Sequence, residues 1–326
     1  MLLLDKDFLL SIERKTCESE RRIEVGVDSK HSKNQKLLQD HRFSIIFYSN
    51  SSNKDYLELH TEPRKIIPKK FNTYSSGSLE IPKNIPHFLG FLKRSKFVEC
   101  LNLTIPRIST NSTLDPKNAS ESLAILRDTL LDFGMFSYLS SGTLLGWYRE
   151  CSVIPHTYDM DTIVYIEDLN RKFLNYLAND RSKFTLAKRF GRINDSLELT
   201  LQIKNGYPVN TDVFFFYPEN EKNESVSRWF GGVDAYGGKY KFTYPNYAPF
   251  CAADLFGHIF WVTCNPGQIL KHEYGLLWYQ DHSTTNFVWN ESPKNAHPNG
   301  NWTSEEMDEV YYIKSTPYPK IERNEN

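Results

Sequence analysis

The clearest hydrophobic pattern in the chain is a stripe in which an apolar residue recurs every three or four positions. Its members are Leu123, Leu126, Leu130 and Phe133. This spacing places them on one face of a helix. Asn118 or Ser120 can cap the first turn, and Gly134 can end the helix, because glycine readily adopts the left-handed conformation that follows many helices. The stripe therefore predicts an amphipathic helix that begins near residue 118 or 120 and ends at Gly134.

Shorter patterns downstream predict a strand, a helix and then further strands. The expected elements are a strand over 136–140, a helix over 143–150, and strands over 159–166, 197–203 and 209–217. Gly142 separates the first strand from the helix, and the glycine pairs at 231–232 and 237–238 predict turns. This order predicts an α/β (α+β) fold with a mixed β-sheet flanked by helices.

The first 85 residues show a weaker pattern. Residues rich in Ser and Asn at 49–53 and 74–78 predict loops, and apolar residues between His41 and Tyr48 predict one strand. We therefore divide the chain into a small N-terminal segment, residues 1–85, and a main domain, residues 86–326, which carries the candidate chemistry. The N-terminal segment is expected to be a partial accessory domain or poorly ordered.

Composition narrows the class of protein. Apolar residues make up 40% of the chain, which is enough for a packed core. Lys and Arg number 39 against 40 Asp and Glu, so the formal net charge is −1. Proteins that bind nucleic acids normally carry a basic excess. We therefore expect no nucleic-acid partner.

Signals for the cellular compartment conflict. No apolar run reaches the roughly 18 residues of a membrane span, and no signal peptide is visible, which favours a cytosolic protein. Against this, the sequence contains eight N-glycosylation sequons, at Asn50, Asn102, Asn111, Asn118, Asn194, Asn223, Asn290 and Asn301. Its 25 asparagines would give about three or four by chance. Cys251 and Cys264 are spaced to bridge a short hairpin, but the sequence leaves their pairing open.

The candidate chemistry begins where the strand ending near Ser140 meets the next helix. Exposed N–H groups at that helix start, around Ser141, Gly142 and Thr143, predict a site for a phosphate group. Further on, Asp159 and Asp161 lie two residues apart on a strand, so both carboxylates point to one face. Because like charges repel, this pair calls for a divalent cation such as Mg²⁺ or Mn²⁺, which oxygen ligands hold well.

A third carboxylate and three basic residues complete the candidate site. Asp212 precedes the apolar run of the 209–217 strand, where it would complete a metal site or accept a proton from a hydroxyl group; pairing with a nearby Lys or Arg is the simpler alternative. Arg149, Lys188 and Arg192 are candidates to contact phosphate, and a solvated charged surface explains each of them equally well. The order of a Ser-Gly turn, Asp-X-Asp and a later strand Asp is typical of nucleotidyltransferases.

Several longer motifs resemble the LicD/fukutin family. They occupy residues 139–151, 159–161, 195–199, 211–217 and 298–302, in the order that the family shows. The resemblance implies a nucleotidyltransferase-like fold and metal-dependent transfer of a phospho-alcohol from a CDP carrier to a glycan hydroxyl. It implies Asp159, Asp161 and Asp212 as ligands of Mg²⁺ or Mn²⁺. It also implies CDP-ribitol as donor, a glycoprotein acceptor, and a place in the Golgi beside other glycosyltransferases.

Three alternatives remain at this point. Phosphocholine transfer from CDP-choline would need an aromatic cage for the quaternary ammonium, and the 46 aromatic residues (19 Tyr, 21 Phe, 6 Trp) could supply one. A glycosyltransferase could use Asp-X-Asp to hold a nucleotide sugar, although the Ser-Gly-Thr turn and Asp212 argue against it. A non-catalytic member of the family would bind a glycan or partner enzymes.

Overall fold

Two mixed β-sheets organise the chain in the computed structural model, which describes residues 1–16, 22–32, 40–107, 112–219, 227–283 and 286–314. One sheet has seven strands and lies N-terminal in the sequence; the other has eleven and includes the strand of the Asp-X-Asp motif. Helices flank both sheets, as the α+β prediction requires.

The N-terminal sheet is built from short strands with the order β5-β4-β3-β2-β1-β7-β6. Its strands are β1 (Leu2–Leu3), β2 (Ile23–Asp28), β3 (Phe43–Ser49), β4 (Tyr56–Leu59), β5 (Lys65–Pro68), β6 (Thr73–Ser76) and β7 (Leu79–Pro82). The strand predicted between residues 41 and 48 is confirmed as β3. Helix α1 (Lys6–Arg14) connects β1 to β2, and the Asp5 side chain caps it by accepting from Phe8 N.

The larger sheet has a main path β15-β16-β8-β9-β12-β11-β10-β18, and β13, β14 and β17 extend it from β12. Its strands are β8 (Ser137–Leu139), β9 (Asp159–Tyr165), β10 (Phe184–Arg192), β11 (Asp195–Ile203), β12 (Asn210–Pro218), β13 (Arg228–Val233), β14 (Gly238–Tyr244), β15 (Phe250–Leu255), β16 (His258–Thr263), β17 (Ala296–Asn301) and β18 (Tyr311–Ile313). The strands predicted from the sequence correspond to β8, β9, β11 and β12.

Helices pack on the sheets and connect them. They are α2 (Ile85–Lys93), α3 (Pro116–Asp132), α4 (Ser141–Glu150), α5 (Arg171–Leu177), α6 (Pro266–Tyr274) and α7 (Ser304–Val310). The amphipathic helix is confirmed as α3, but its predicted start was wrong. Asp115 caps it by accepting from Asn118 N at 2.8 Å, and Pro116 occupies the first turn, where a missing N–H costs nothing. Gly134 follows the helix with a φ of +78°, as expected.

The turn predicted at Gly231–Gly232 was wrong, because both glycines lie inside β13. Their small size serves close packing. A β-carbon at Gly231 would overlap the Ser196 side chain, and one at Gly232 would approach the ring of Trp289 to 2.5 Å. The turn at Gly237 is confirmed by a φ of +90° between β13 and β14.

One hydrophobic core runs from the N-terminal sheet into the larger one. Leu3 and Ile66 of the first sheet belong to the same buried cluster as Phe91 of α2 and Trp261 of β16, and the Phe91 and Trp261 rings stack with 5.9 Å between centroids. Two disulfides, Cys100–Cys151 and Cys251–Cys264, reinforce this region. The boundary predicted at residue 85 falls at the start of α2, and the division into two domains stays a prediction. Within the described residues, no helix combines the length and hydrophobicity of a membrane span.

Candidate active site

Four polar residues form a row across four neighbouring strands of the larger sheet. Asp161 on β9 lies opposite Asp212 on β12, Asp212 lies opposite Thr200 on β11, and Thr200 lies opposite Lys188 on β10. Residues directly opposite one another on paired strands point to the same face of the sheet. The pairing of the strands therefore places all four side chains on one polar surface of the sheet.

Three carboxylates on this surface are close enough to share one ion. Asp159 precedes Asp161 by two residues on β9 and therefore points to the same face. One oxygen each from Asp159, Asp161 and Asp212 lies within 4.8 Å of the others. A set of half-buried carboxylate oxygens is the donor set that Mg²⁺ and Mn²⁺ prefer. The geometry therefore fits the predicted metal ligands.

The electrostatics of the cluster also favour a cation. Burial raises the pKa of Asp212 to about 7, and the charge of Asp159 adds to the rise. The pKa of Asp161 is raised by burial first and then by the charges of Asp159 and Asp212. The pKa of Asp159 is raised by burial as well. Carboxylates that stay protonated in the absence of a cation lose their protons to solvent when a divalent ion binds, so metal binding and proton release are coupled here.

A threonine holds each of the three aspartates. Thr200 Oγ1 donates to Asp212 Oδ1 at 2.5 Å, and Thr157 Oγ1 donates to Asp159 Oδ1 at 3.1 Å. The third of these contacts is made by Thr143 at the start of α4, whose Oγ1 accepts from Asp161 N at 2.6 Å. Such outer partners orient metal ligands and fix which oxygen faces the ion.

The first turn of α4 meets Asp161. Its N-cap, Ser140, makes no side-chain capping bond, and Ser140 Oγ is buried without a hydrogen-bond partner among the described residues. A β-carbon at Gly142 would lie 3.2 Å from Asp161 Oδ2, so glycine lets the helix start approach the carboxylate. The first N–H groups of a helix have no partners within it and carry a partial positive charge. The predicted phosphate turn of Ser141, Gly142 and Thr143 thus lies beside the carboxylate cluster.

The three predicted basic residues differ in their surroundings. Lys188 belongs to the polar row, and its positive charge partly offsets the burial that raises the pKa of the Asp159 and Asp212 carboxyls. Arg149 is buried and donates to Glu150 Oε1 at 2.8 Å and to the carbonyl of Gln280 at 2.6 Å, and burial lowers its pKa to about 10.

Arg192 lies at the far end of β10. Its guanidinium donates to Glu309 Oε2 at 2.7 Å and to Glu306 Oε1 at 2.9 Å, and it lies over the ring of Trp302. The described contacts therefore place only Lys188 next to the aspartates, and the phosphate-binding role of Arg149 and Arg192 stays a prediction.

Sequence reasoning missed two acidic residues at this site. Glu198, on β11, is buried. Burial raises the pKa of its carboxyl, and the charges of Asp212 and Asp159 raise it further. Glu273, on α6, is also buried, and burial raises its pKa to about 7. Alternation along 198–200 marks Glu198 and Thr200 as facing one side of a strand, but only the strand pairing shows that this is the side of Asp212.

Comparisons with known proteins match the part of the chain that carries these residues. The family model for the LicD/FKTN/FKRP nucleotidyltransferase domain matches residues 134–265, which include the helix start and all three aspartates. A second model, the W02B3.4-like N-terminal domain, matches residues 1–99. The chain belongs to the same family as the Caenorhabditis elegans protein W02B3.4, and the match over residues 134–265 supports the predicted resemblance to the LicD/FKTN/FKRP family.

Three relatives give the extent of the similarity. The Caenorhabditis elegans protein W02B3.4 is 48% identical over 315 residues, which are 96% of this chain and 81% of the relative. T07A5.1 from the same organism is 45% identical over 95% of this chain and 83% of its own length. The mouse ribitol-5-phosphate transferase FKTN is 35% identical over 242 residues, 72% of this chain and half of FKTN. Family and relatives together support a phospho-alcohol transferase of the fukutin type.

Proposed function

We propose that this protein transfers ribitol 5-phosphate from CDP-ribitol to a hydroxyl group of a protein-linked, O-mannosyl-type glycan, with a divalent metal ion. The observation that carries the proposal is the approach of Asp159, Asp161 and Asp212 within 4.8 Å beside the open N-terminus of α4. A diphosphate needs both a counter-ion and N–H donors, and the two features supply them at one place. The similarity to a ribitol-5-phosphate transferase supports the choice of donor.

Asp159, Asp161 and Asp212 would hold Mg²⁺ or Mn²⁺, which would neutralise the diphosphate of the donor. The first turn of α4, at Ser141, Gly142 and Thr143, would donate N–H groups to the same phosphates. Lys188 would add a positive charge at the edge of the row. The chain's own residues thus bind and orient the donor, which is most of what phosphoryl transfer requires.

The reaction itself exchanges the phosphoanhydride bond of the donor for a phosphate ester bond to the acceptor. The acceptor oxygen forms a bond to the β-phosphorus, which carries the ribitol, and the bond from that phosphorus to the bridging oxygen breaks. CMP leaves with the bridging oxygen and its electron pair, and the acceptor proton passes to a carboxylate of the cluster or to solvent. No oxidant or further reactant is needed.

The proposed place of the reaction is the Golgi lumen, where the acceptor is the glycan of a glycoprotein and other glycosyltransferases act nearby. The two disulfides of the described residues support an oxidising compartment. The sequons give further support. Asn50, Asn102, Asn194 and Asn301 are exposed, and we propose N-glycans at these positions. Asn111 and Asn223 lie outside the described residues.

Thermal stabilisation of the purified chain by nucleotide donors tests the proposed function. CDP-ribitol, CDP-choline and CDP-glycerol are each added with and without Mn²⁺. A ligand that binds the native state raises the melting temperature by mass action. We expect Mn²⁺-dependent stabilisation by CDP-ribitol that Asp161→Asn abolishes.

The other outcomes of this experiment are equally informative. Stabilisation by CDP-choline alone would replace ribitol phosphate with phosphocholine as the transferred group. Absence of stabilisation by every donor in a folded sample would contradict the proposal and favour a non-catalytic family member.

A further inference from the structure

A groove of about 330 Å³ lies where the N-terminal sheet meets the larger sheet. This volume is near the lower end of the roughly 300–1,000 Å³ that small-ligand sites occupy. The described residues that line it come from β4 and the loops beside it, the segment 97–100, helix α4 and the hairpin of β15 and β16. The aspartate cluster lies outside this set. The groove, called the junction groove below, is bordered by Lys54, Arg64, Phe97, Glu99, Asp254 and Phe256.

The turn at the tip of the hairpin contains a residue that its backbone does not favour. Leu255 pairs with His258, so Phe256 and Gly257 form a two-residue turn between β15 and β16. Their φ angles are +54° and +86°, as in a type I′ turn. Such turns favour Asn or Gly at the first position, because a bulky side chain is strained at positive φ. The turn alone therefore gives no reason for Phe256.

Burial does not explain Phe256 either. Its side chain is 42% exposed and borders the junction groove, so it gains only part of the free energy that burial of an aromatic ring provides. The tip is held on the N-terminal sheet through Gly257 instead. Gly257 O accepts from Asp55 N at 3.0 Å, and a β-carbon at Gly257 would lie 2.6 Å from Asn53 O. A strained, exposed residue on a fixed turn is a feature of functional sites.

The other residues of the junction groove are charged and aromatic, and their charges balance. Lys54 and Arg64 stand against Glu99 and Asp254. The Arg64 guanidinium lies 3.9 Å from the centre of the Phe97 ring and donates to Glu99 Oε1 at 2.8 Å. The groove therefore presents donors, acceptors and aromatic rings without a net charge.

This combination fits a sugar ring. A sugar has a C–H face that can pack on an aromatic ring, and its hydroxyl groups both donate and accept hydrogen bonds. An anion such as a phosphate would meet the carboxylates of Glu99 and Asp254. A wholly apolar ligand would remove charged groups from water without replacing their hydrogen bonds. The lining thus favours a neutral carbohydrate over both.

We propose that the junction groove is a carbohydrate-binding site outside the transfer centre, in which the Phe256 ring packs against a sugar of the glycan on the acceptor glycoprotein. The inference rests on the proposed function for the identity of that glycoprotein. An N-glycan of this chain is another source of the same chemistry, because the Asn50 and Asn102 sequons lie three positions before Asn53 and two positions after Cys100, which both line the groove. The experiments below separate the two sources.

The first measurement distinguishes a binding role of Phe256 from a structural one. Asparagine tolerates positive φ, and Asn-Gly is the favoured pair in a type I′ turn. We expect Phe256→Asn to raise the melting temperature by about 1–3 °C, since it relieves the strain of the turn. A ring that served only to stabilise the hairpin would make the same variant less stable. A lower melting temperature would therefore overturn the proposed role of Phe256.

The second measurement is equilibrium binding of an O-mannosyl glycopeptide to the full chain at saturating Mn²⁺ without donor. The same peptide without its glycan is titrated in parallel and should bind at least about tenfold more weakly. We expect Phe256→Asn to weaken glycopeptide binding about tenfold, and Glu99→Ala, on the exposed rim, about three- to tenfold. Tyr236→Asn replaces an aromatic residue that is 97% exposed on another hairpin, and should leave the affinity unchanged. Equal binding of the two peptides, or unchanged affinity in Phe256→Asn, would overturn the proposal.

Two further comparisons separate the sources of the sugar and the two proposals. The Asn50→Gln/Asn102→Gln protein should bind the glycopeptide as the wild type does. Binding that appears only in this variant would assign the groove to the chain's own N-glycan and overturn the proposed partner.

Mn²⁺-dependent binding of CDP-ribitol should be unchanged in Phe256→Asn, because the aspartate cluster does not line the groove. Loss of donor binding in this variant would overturn a site separate from the transfer centre. Failure of the wild type to bind any CDP-alcohol would contradict the proposed function, while the two peptides would still decide whether the junction groove binds carbohydrate.

Discussion

Asp212 on β12 lies directly opposite Asp161 on β9, in the parallel register of the two strands. Fifty-one positions separate them in the sequence, yet their carboxylates face the same space. Burial raises the pKa of both, and the charge of Asp159 adds to each rise. The ionised form of both carboxylates is therefore unfavourable without a cation, and a bound cation would stabilise it.

Removing one charge of the pair should weaken metal binding strongly without unfolding the protein. We expect Asp161→Asn and Asp212→Asn each to weaken Mn²⁺ binding and phospho-alcohol transfer at least about 100-fold, since loss of an outer partner alone costs about 10- to 100-fold. Calorimetric titration with Mn²⁺ checks this. Asp308→Asn, at an exposed position of α7, is the matched control. Mn²⁺ affinity within twofold of wild type in Asp161→Asn would remove Asp161 from the metal site.

The stability of the metal-free protein should fall as the pH rises. The pKa of Asp212 is about 7 in the folded protein and 3.8 for an unperturbed carboxyl, so the native state retains a proton that the unfolded chain has released. Proton binding by the native state favours folding at low pH, and this advantage is lost between about pH 4 and pH 7. Urea unfolding across this range, with and without Mn²⁺, measures the slope.

The same experiment has an internal control. Asp212→Asn should reduce the slope, and saturating Mn²⁺ should reduce it too, because the ion displaces the protons. A metal-free protein whose stability increases from pH 5 to pH 7 would contradict the raised pKa values.

Thr200 should tune the metal site through Asp212. Thr200→Val removes the hydroxyl that donates to Asp212 Oδ1 and keeps the shape of the side chain. We expect Mn²⁺ affinity to fall about tenfold with little change in fold. Thr243→Val, at a half-buried position of β14, is the control for the substitution itself. Unchanged Mn²⁺ affinity in Thr200→Val would mean that this hydrogen bond does not orient the ligand.

Lys188 and Arg192 should differ although both were predicted to contact phosphate. Lys188 lies in the polar row, whereas Arg192 is engaged with Glu306 and Glu309. We expect Lys188→Met to weaken donor binding about tenfold, and Arg192→Met to change it less than about twofold, because Glu306 and Glu309 hold the Arg192 guanidinium at the far end of β10. Equilibrium binding of CDP-ribitol at saturating Mn²⁺ distinguishes them. The reverse order would place the phosphates near Arg192.

The two disulfides should stabilise the fold unequally. Cys100 and Cys151 are 51 positions apart, and Cys251 and Cys264 are 13 apart. In the chain-entropy account, the longer loop contributes about 4 kcal/mol and the shorter about 3 kcal/mol. Paired Cys→Ser replacements measured by urea unfolding test this order. A larger loss for the Cys251–Cys264 pair would show that local packing outweighs loop length.

Site residues that lie close together in the sequence could be predicted from local patterns. Asp159 and Asp161 share a face because of the two-residue period of a strand, and Ser141 to Thr143 form a helix start because Gly142 follows a strand pattern. Asp212 stood out because a charge at the edge of an apolar run is unusual. These three signals point to residues that the structure brings together in the candidate site.

Site residues that come together only through the pairing of strands or the packing of distant helices could not be predicted. Thr200 and Glu198 join the site through the register of β11 with β12, and no local pattern specifies which strands pair. Glu273 comes from a helix more than one hundred positions after Ser141. Gly231 and Gly232 were mistaken for a turn because glycine serves close packing as well as chain reversal, and only the neighbouring Ser196 and Trp289 distinguish the two.

The proposed function assigns transfer of ribitol phosphate from CDP-ribitol to the aspartate cluster. The most direct measurement incubates the purified chain with CDP-ribitol, Mn²⁺ and an O-mannosyl glycopeptide, and follows CMP release and the mass of the peptide together. We predict one CMP for each ribitol phosphate gained, with both lost on chelation of the metal and in Asp161→Asn. A folded chain that releases no CMP, or an Asp161→Asn protein that matches the wild type, would contradict it.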